Sequence, residues 1–232
     1  MVSREVERIR KTYAHYDQAG RWSGPSLGRS LIYEERMKAV EGLLCSDVAP
    51  PLGECHVLDV GCGGAEFLLW LKHRGAAPRR LFGIDLRPDR IEIGHRRDSE
   101  LQLSVGNAEK TPFPDAKFDV VSAFTVFSSI LCDEMSAKLA AEMTRVLKPA
   151  GVIVWYDLRY PNPWNRQVRA MTLDRIERIF PDLTLDLRSI TLLPPLADRM
   201  TPATGWTYGA LSRLPVLRSH YVGLLRRPKL PN

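Results

Sequence analysis

The chain is poor in several things, and each shortage removes a class of function. No run of roughly 18 consecutive apolar residues occurs, so no membrane-spanning helix is expected. The first residues, Met1 to Arg8, are charged throughout and hold no apolar signal core. The four cysteines (Cys45, Cys55, Cys62, Cys132) show no paired metal-binding spacing. That usage suits a reducing compartment, and a cytoplasmic location is expected. There is no internal repeat and no low-complexity segment. Basic residues exceed acidic ones, 33 to 27, for a net charge of +6. They are scattered, and no arginine-rich tail or aromatic–basic pattern accompanies them, so no nucleic-acid partner is expected. Contact of the basic end (Leu224 to Lys229) with an anionic membrane is a weak possibility beside a plain last strand with a polar tail.

What is present begins with Val57-Leu58-Asp59-Val60-Gly61-Cys62-Gly63-Gly64-Ala65-Glu66. An apolar β-branched run stops at an acid, and glycines follow at the first and third positions of a turn. Phe67 to Leu71 then continues without a breaker. The pattern predicts strand, glycine turn and helix, a geometry that lets backbone approach a nucleotide-like ligand. Glu66 stands where a dinucleotide fingerprint has its third glycine, and a carboxylate there disfavours a pyrophosphate. Leu81 to Asp85 reads as a second buried strand ending in an acid, suited to both hydroxyls of a ribose. A short strand to Val105 ends at Gly106-Asn107-Ala108.

Strands are expected at 56–60, 80–85, 101–105, 118–123 and 151–157, with helices at 65–74, 88–97 and 133–147. Such alternation predicts a parallel sheet covered on both faces. Before it, an amphipathic helix is expected over 1–20 (Val2, Val6, Ile9, Tyr13, Tyr16 on one side), a loop over 20–30, and a helix from Leu31 to Cys45 capped by Ser30. After it come a helix over 172–180, strands at 183–193 and 216–226, and a proline-rich connection over 194–215. The length, 232 residues, suits one domain with an N-terminal cap over 1–48.

Four motifs in this order resemble those of class I S-adenosylmethionine-dependent methyltransferases. They are Val57 to Gly64, Asp85, Gly106-Asn107-Ala108 (Asn in place of the usual Asp), and Leu147-Lys148-Pro149-Ala150-Gly151. Segments 124–130, 155–163, 188–197 and 219–224 look like a bacterial subgroup often associated with polysaccharide or secondary-metabolite biosynthesis. The resemblance implies an α/β Rossmann-like sheet of seven strands, six parallel and the seventh antiparallel, with the 194–215 connection covering the active site. It implies S-adenosylmethionine as cofactor and S-adenosylhomocysteine as product. Asp59, Gly61, Gly63, Asp85, Leu86, Asn107, Ala108, Thr125 and Tyr16 would contact the cofactor. Phe127, Ser128, Tyr156, Arg159 and Tyr13 would face the acceptor.

Methyl transfer from a sulfonium is an in-line substitution that often needs a base. His220, whose ordinary pKa lies near neutrality, is the first candidate, with Asp157 and His15 as rivals. Structural roles stay open for all of these: turn capping for Asp59 and Asn107, a helix cap for Asp85, core packing for Phe127 and Ser128, helix packing for Tyr13 and Tyr16, an ion pair for Asp157. No Asn-Pro-Pro-Tyr run follows the fourth strand, as in the related amide methylases, and no His/Asp metal set is seen. The reading is metal-free O-methylation of a small molecule, a sugar, glycan intermediate or secondary metabolite, by a monomer or homodimer. N-methylation of an amine metabolite, or cofactor binding without turnover, are the alternatives.

Overall fold

A computed structural model describes residues 2–20, 26–48, 50–162 and 165–228. Two helices, α1 (Val2–Gln18) and α2 (Leu27–Asp47), precede the sheet. The central alternation is β1 (Val57–Val60), α3 (Glu66–Lys72), β2 (Leu81–Asp85), α4 (Pro88–Arg97), β3 (Gln102–Val105), β4 (Phe118–Phe124), α5 (Asp133–Val146) and β5 (Leu147–Leu158). The chain closes with α6 (Leu173–Ile179), β6 (Thr184–Leu192), the short α7 (Pro194–Ala197) and α8 (Thr207–Leu211), and β7 (Arg218–Arg226). The strands form one sheet in the order β3-β2-β1-β4-β5-β7-β6. β7 runs antiparallel to both its neighbours, and the other six share one direction. No described helix is long and apolar enough to cross a membrane.

Strands buried on both faces need apolar residues throughout, and β1 and β4 are buried along nearly their whole length. On one face α2 and α3 deliver Met37, Val40, Leu44, Phe67, Leu68 and Leu71. On the other, α1, α5 and α6 deliver Ile9, Leu139, Met143 and Ile176 around Trp155. At the start of the strands Asp119 accepts from Lys148 Nζ at 2.8 Å and from the His56 amide at 2.9 Å, tying together β4, β5 and the entry to β1.

The elements differ from the sequence expectation in four places. α2 starts at Leu27, capped by Ser26, whose hydroxyl accepts from the Arg29 amide at 3.3 Å; Ser30 lies inside the helix. β5 begins at Leu147, so the Lys148 to Gly151 turn is part of a strand with a register shift opposite Phe118. A side chain at Gly151 would meet the Asp119 carbonyl at 2.9 Å, which explains the glycine. β7 begins two residues late because Pro215–Leu217 form a tight turn. The expected connection over 194–215 carries α7 and α8 and packs on α2, with Ala197, Tyr208 and Leu192 against Leu31 and Ile32. Parts of the loop expected at 20–30, Pro163-Trp164 and Lys229 of the basic tail lie outside the described residues.

Candidate active site

The glycine turn after β1 is held by left-handed backbone at Gly61 (φ +67°) and Gly63 (φ +52°). A Cβ on Gly61 would lie 2.8 Å from the Val126 side chain, so this turn admits no larger residue without rearrangement. Ala65 keeps φ +65° at the start of α3, so the left-handed backbone continues there without a glycine. Gly61 and Cys62 both donate to the Ile84 carbonyl, which seats the turn against β2.

The turn forms one wall of a cavity of about 370 Å³ at the carboxyl ends of β1, β2 and β4. Asp85, at the end of β2, lines it; its carboxylate accepts from the amides of Gly63 and Arg87, each at 2.9 Å. Burial pushes this carboxyl up from its ordinary value. Leu86, Asn107 and Ala108 line the adjoining wall. Asn107 closes a local turn by accepting from the Glu109 amide at 3.1 Å, so its expected alternative role, a strand-end turn, is also filled.

Across the cavity lies the segment after β4. Thr125 adopts φ +57°, rare for a β-branched residue, and its amide donates to the Tyr156 carbonyl at 2.7 Å. This bend turns Thr125 and Val126 toward the cavity. It sends Phe127 the other way, into the core beside Trp155 (5.0 Å) and Phe180 (5.6 Å). Ser128 is buried and is turned to Asp157, its amide donating to that carboxylate at 3.0 Å.

α1 roofs the cavity with Ile9 and Tyr13. The Tyr13 hydroxyl lies 2.7 Å from that of Ser129, and burial pushes its pKa up. Both ends of the roof are fastened. Glu5 accepts from the Leu131 amide at 2.6 Å, and Asp17 pairs with both Arg87 and Arg90 at the start of α4. Tyr16 does not line the cavity; its hydroxyl donates to Asn165 at 3.1 Å.

Several expected residues stand elsewhere. Asp59 lies wholly beneath the turn, accepting from Ser122 at 2.6 Å, and burial pushes its carboxyl up to about 7. Asp157 is fully buried, accepts from the Ser128 and Leu158 amides, and is pushed up to about 6. It braces the turn after β4 and makes no ion pair with Arg159, which donates to Tyr160. His220 is stacked on Tyr156, 4.6 Å apart and 4° from parallel, with Nδ1 on the Ser219 hydroxyl. Burial and the nearby Arg36 push its pKa down to about 3, which leaves it neutral and weakly basic. His15 is exposed on α1. Tyr156, Arg159, His220, His15 and the whole of 194–215 contribute nothing to the cavity lining.

The lining also includes residues with no signal in the sequence beyond apolar spacing: Ile9, Ile130, Met135 and Leu139. Glu66, Arg87 and Arg90 complete its polar part. No cluster of three or more metal-ligating side chains occurs among the described residues.

The architecture and the sequence both have known counterparts. Residues 58–155 match a family described as a methyltransferase domain. A sterol 4-C-methyltransferase of Caenorhabditis elegans is 32% identical over 117 residues, 48% of this chain and 33% of that protein. A fatty-acid O-methyltransferase of Mycolicibacterium smegmatis is 33% identical over 158 residues, 63% of this chain and 55% of that protein. The chain thus spans a third to about half the length of such curated relatives. A crystal structure of geranyl diphosphate C-methyltransferase from Streptomyces coelicolor, with Mg2+, geranyl diphosphate and S-adenosyl-L-homocysteine, superimposes with a TM-score of 0.62 at 16% identity, covering 83% of this chain and 81% of that one.

Proposed function

The chain carries a class I, S-adenosylmethionine-dependent methyltransferase domain, and from that premise we propose that it methylates an oxygen of a small molecule, releasing S-adenosylhomocysteine. One observation carries the reading: the left-handed glycine turn, the Asp85 carboxylate and the Asn107-Ala108 wall all face a single cavity. These residues fit the donor. Asp85 can take the ribose hydroxyls, Leu86 and Ala108 can flank the adenine, and the bare backbone at Gly61 and Gly63 leaves room for the amino-acid end. When bound, the donor supplies an electrophilic methyl group on a sulfonium.

The chain's own contribution is to bind, orient and keep water out. Tyr13 and Ile9 close the cavity from above, and Ile130, Met135 and Leu139 give its inner end an apolar surface. No histidine lines the cavity among the described residues, and His220 is too weakly basic to accept a hydroxyl proton near neutral pH. The lining therefore suits an acceptor that arrives already ionised. A carboxylate on an apolar body is such an acceptor, and it is methylated without loss of a proton. The fatty-acid O-methyltransferase relative supports the same class. A neutral hydroxyl of a sugar or glycan makes a demand on a base that this lining meets less well.

The test is incubation with deuterium-labelled donor and a panel of fatty acids, aromatic acids, sugars and amines, read by mass spectrometry. Labelled methyl esters are expected. Labelled amines and no esters would favour N-methylation. No labelled product from protein that binds S-adenosylhomocysteine would make it a binding protein without turnover.

A further inference from the structure

Beside the cavity, on the face of the sheet covered by α2, three aromatic rings stand in a row. Phe124 of β4 pairs in register with Tyr156 of β5, and His220 of β7 stacks on Tyr156. Over this row lies Arg36 of α2. Its guanidinium carbon is 5.4 Å from the centre of Phe124, 5.2 Å from Tyr156 and 5.4 Å from Tyr33. Its Nε is buried with no hydrogen-bond partner. No carboxylate among the described residues pairs with it, and Glu35, Glu66 and Asp59 are each engaged elsewhere. Glu35 accepts from the Tyr208 hydroxyl at 2.7 Å and the Thr191 amide at 3.1 Å. Glu66 pairs with Arg97 at 2.6 Å, and Asp59 takes the Ser122 hydroxyl. Phe124 also lines the cavity, so Arg36 is one side chain away from it.

Aromatic rings satisfy the positive charge of a guanidinium but none of its five N–H donors. A planar fork held in this way is suited to bidentate recognition of a carboxylate. The row beneath it, two neutral aromatics and a neutral histidine, adds no charge of its own.

We propose that Arg36, framed by Tyr33, Phe124 and Tyr156, is the receptor for a ligand carboxylate at the edge of the methyl-transfer cavity. The inference rests on the methyltransferase reading of that cavity and adds the group that orients its ligand. Two carboxylates have the required chemistry, that of an acidic acceptor and that of the donor's amino-acid end.

The test is calorimetric titration of wild type, Arg36→Met and Arg36→Lys with three probes: decanoate, S-adenosylhomocysteine and 5′-methylthioadenosine, which lacks the amino-acid end. Arg36→Met should weaken decanoate or S-adenosylhomocysteine by about tenfold or more while methylthioadenosine binds as before. Arg36→Lys, a point charge without the fork, should restore part of the loss. Loss of decanoate alone assigns the receptor to the acceptor; loss of S-adenosylhomocysteine assigns it to the donor. The proposal is overturned if Arg36→Met binds both carboxylates as wild type does, or if it loses all three probes alike. Wild-type protein that binds neither adenosyl probe would instead overturn the methyltransferase reading itself.

Discussion

The Asp85 carboxylate accepts a hydrogen bond from the backbone amide of Gly63 at 2.9 Å. One side chain at the end of β2 thereby fixes the shape of the turn that follows β1. Its other oxygen holds the Arg87 amide at the start of α4. Two walls of the cavity are thus set by one group, before any ligand arrives.

Replacing Asp85 by alanine should therefore act twice, removing the proposed ribose acceptor and freeing both amides. Affinity for S-adenosylmethionine is expected to fall about tenfold or more, measured by isothermal titration. An unchanged affinity would contradict the assignment of the cavity.

Gly61→Ala tests the turn itself. Left-handed backbone costs an alanine about 1–2 kcal/mol, and the added methyl meets Val126. In a domain of this size that is a drop in Tm of several degrees, with loss of donor binding, and scanning calorimetry would detect it.

Asp59 should give the protein's stability a pH dependence. Its folded carboxyl, pushed up to about 7, holds a proton that the unfolded chain releases near the ordinary carboxylate value of 3.8. The folded state binds more protons between those limits, so this contribution to stability is present at low pH and is lost as pH rises toward 7. Asp157, pushed up to about 6, acts in the same direction. Asp59→Asn should flatten the fall in Tm between about pH 5 and about pH 8. A curve parallel to wild type would show that Asp59 does not titrate in this window.

The roof helix should be loosened by Asp17→Asn, which removes the pairing with Arg87 and Arg90. Partly exposed pairs of this kind are worth roughly 0.2–1 kcal/mol, so S-adenosylhomocysteine should leave about 1.4- to fivefold faster in stopped-flow measurements. Salt should speed release from wild type more than from the variant.

His220→Gln should leave the pH dependence of the rate unchanged between about pH 6 and about pH 8, because His220 is already neutral there. Loss of an ionisation in the profile of that variant would restore it as a base.

The glycine-turn wall of the cavity was legible in the sequence because backbone geometry dictates its residue types. A left-handed turn asks for Gly61 and Gly63, and an acid that closes a buried strand, as Asp85 does, stands out against the apolar run before it. The inner end of the cavity was not legible. Met135 and Leu139 repeat at ordinary helical spacing, indistinguishable from core. Phe127 and Ser128 were expected at the site, but the left-handed bend at Thr125 reverses their direction, and one backbone angle leaves no mark on residue type. His220 lies at the expected end of β7, yet its stack on Tyr156 follows from strand register. The 194–215 connection was expected over the site, whereas it packs on α2. Gly28 carries a trace of this, since a Cβ there would meet the Ala197 carbonyl.

The Asp119 junction with Lys148 and His56 lies at the opposite rim from the ligand cavity. One border of the sheet is thus stitched across three chain segments, whereas the other is closed by a helix, α1, held at its two ends by Glu5 and Asp17. Ligand-facing chemistry and strand-to-strand stitching therefore occupy opposite rims, and a substitution at one rim leaves the polar contacts of the other intact.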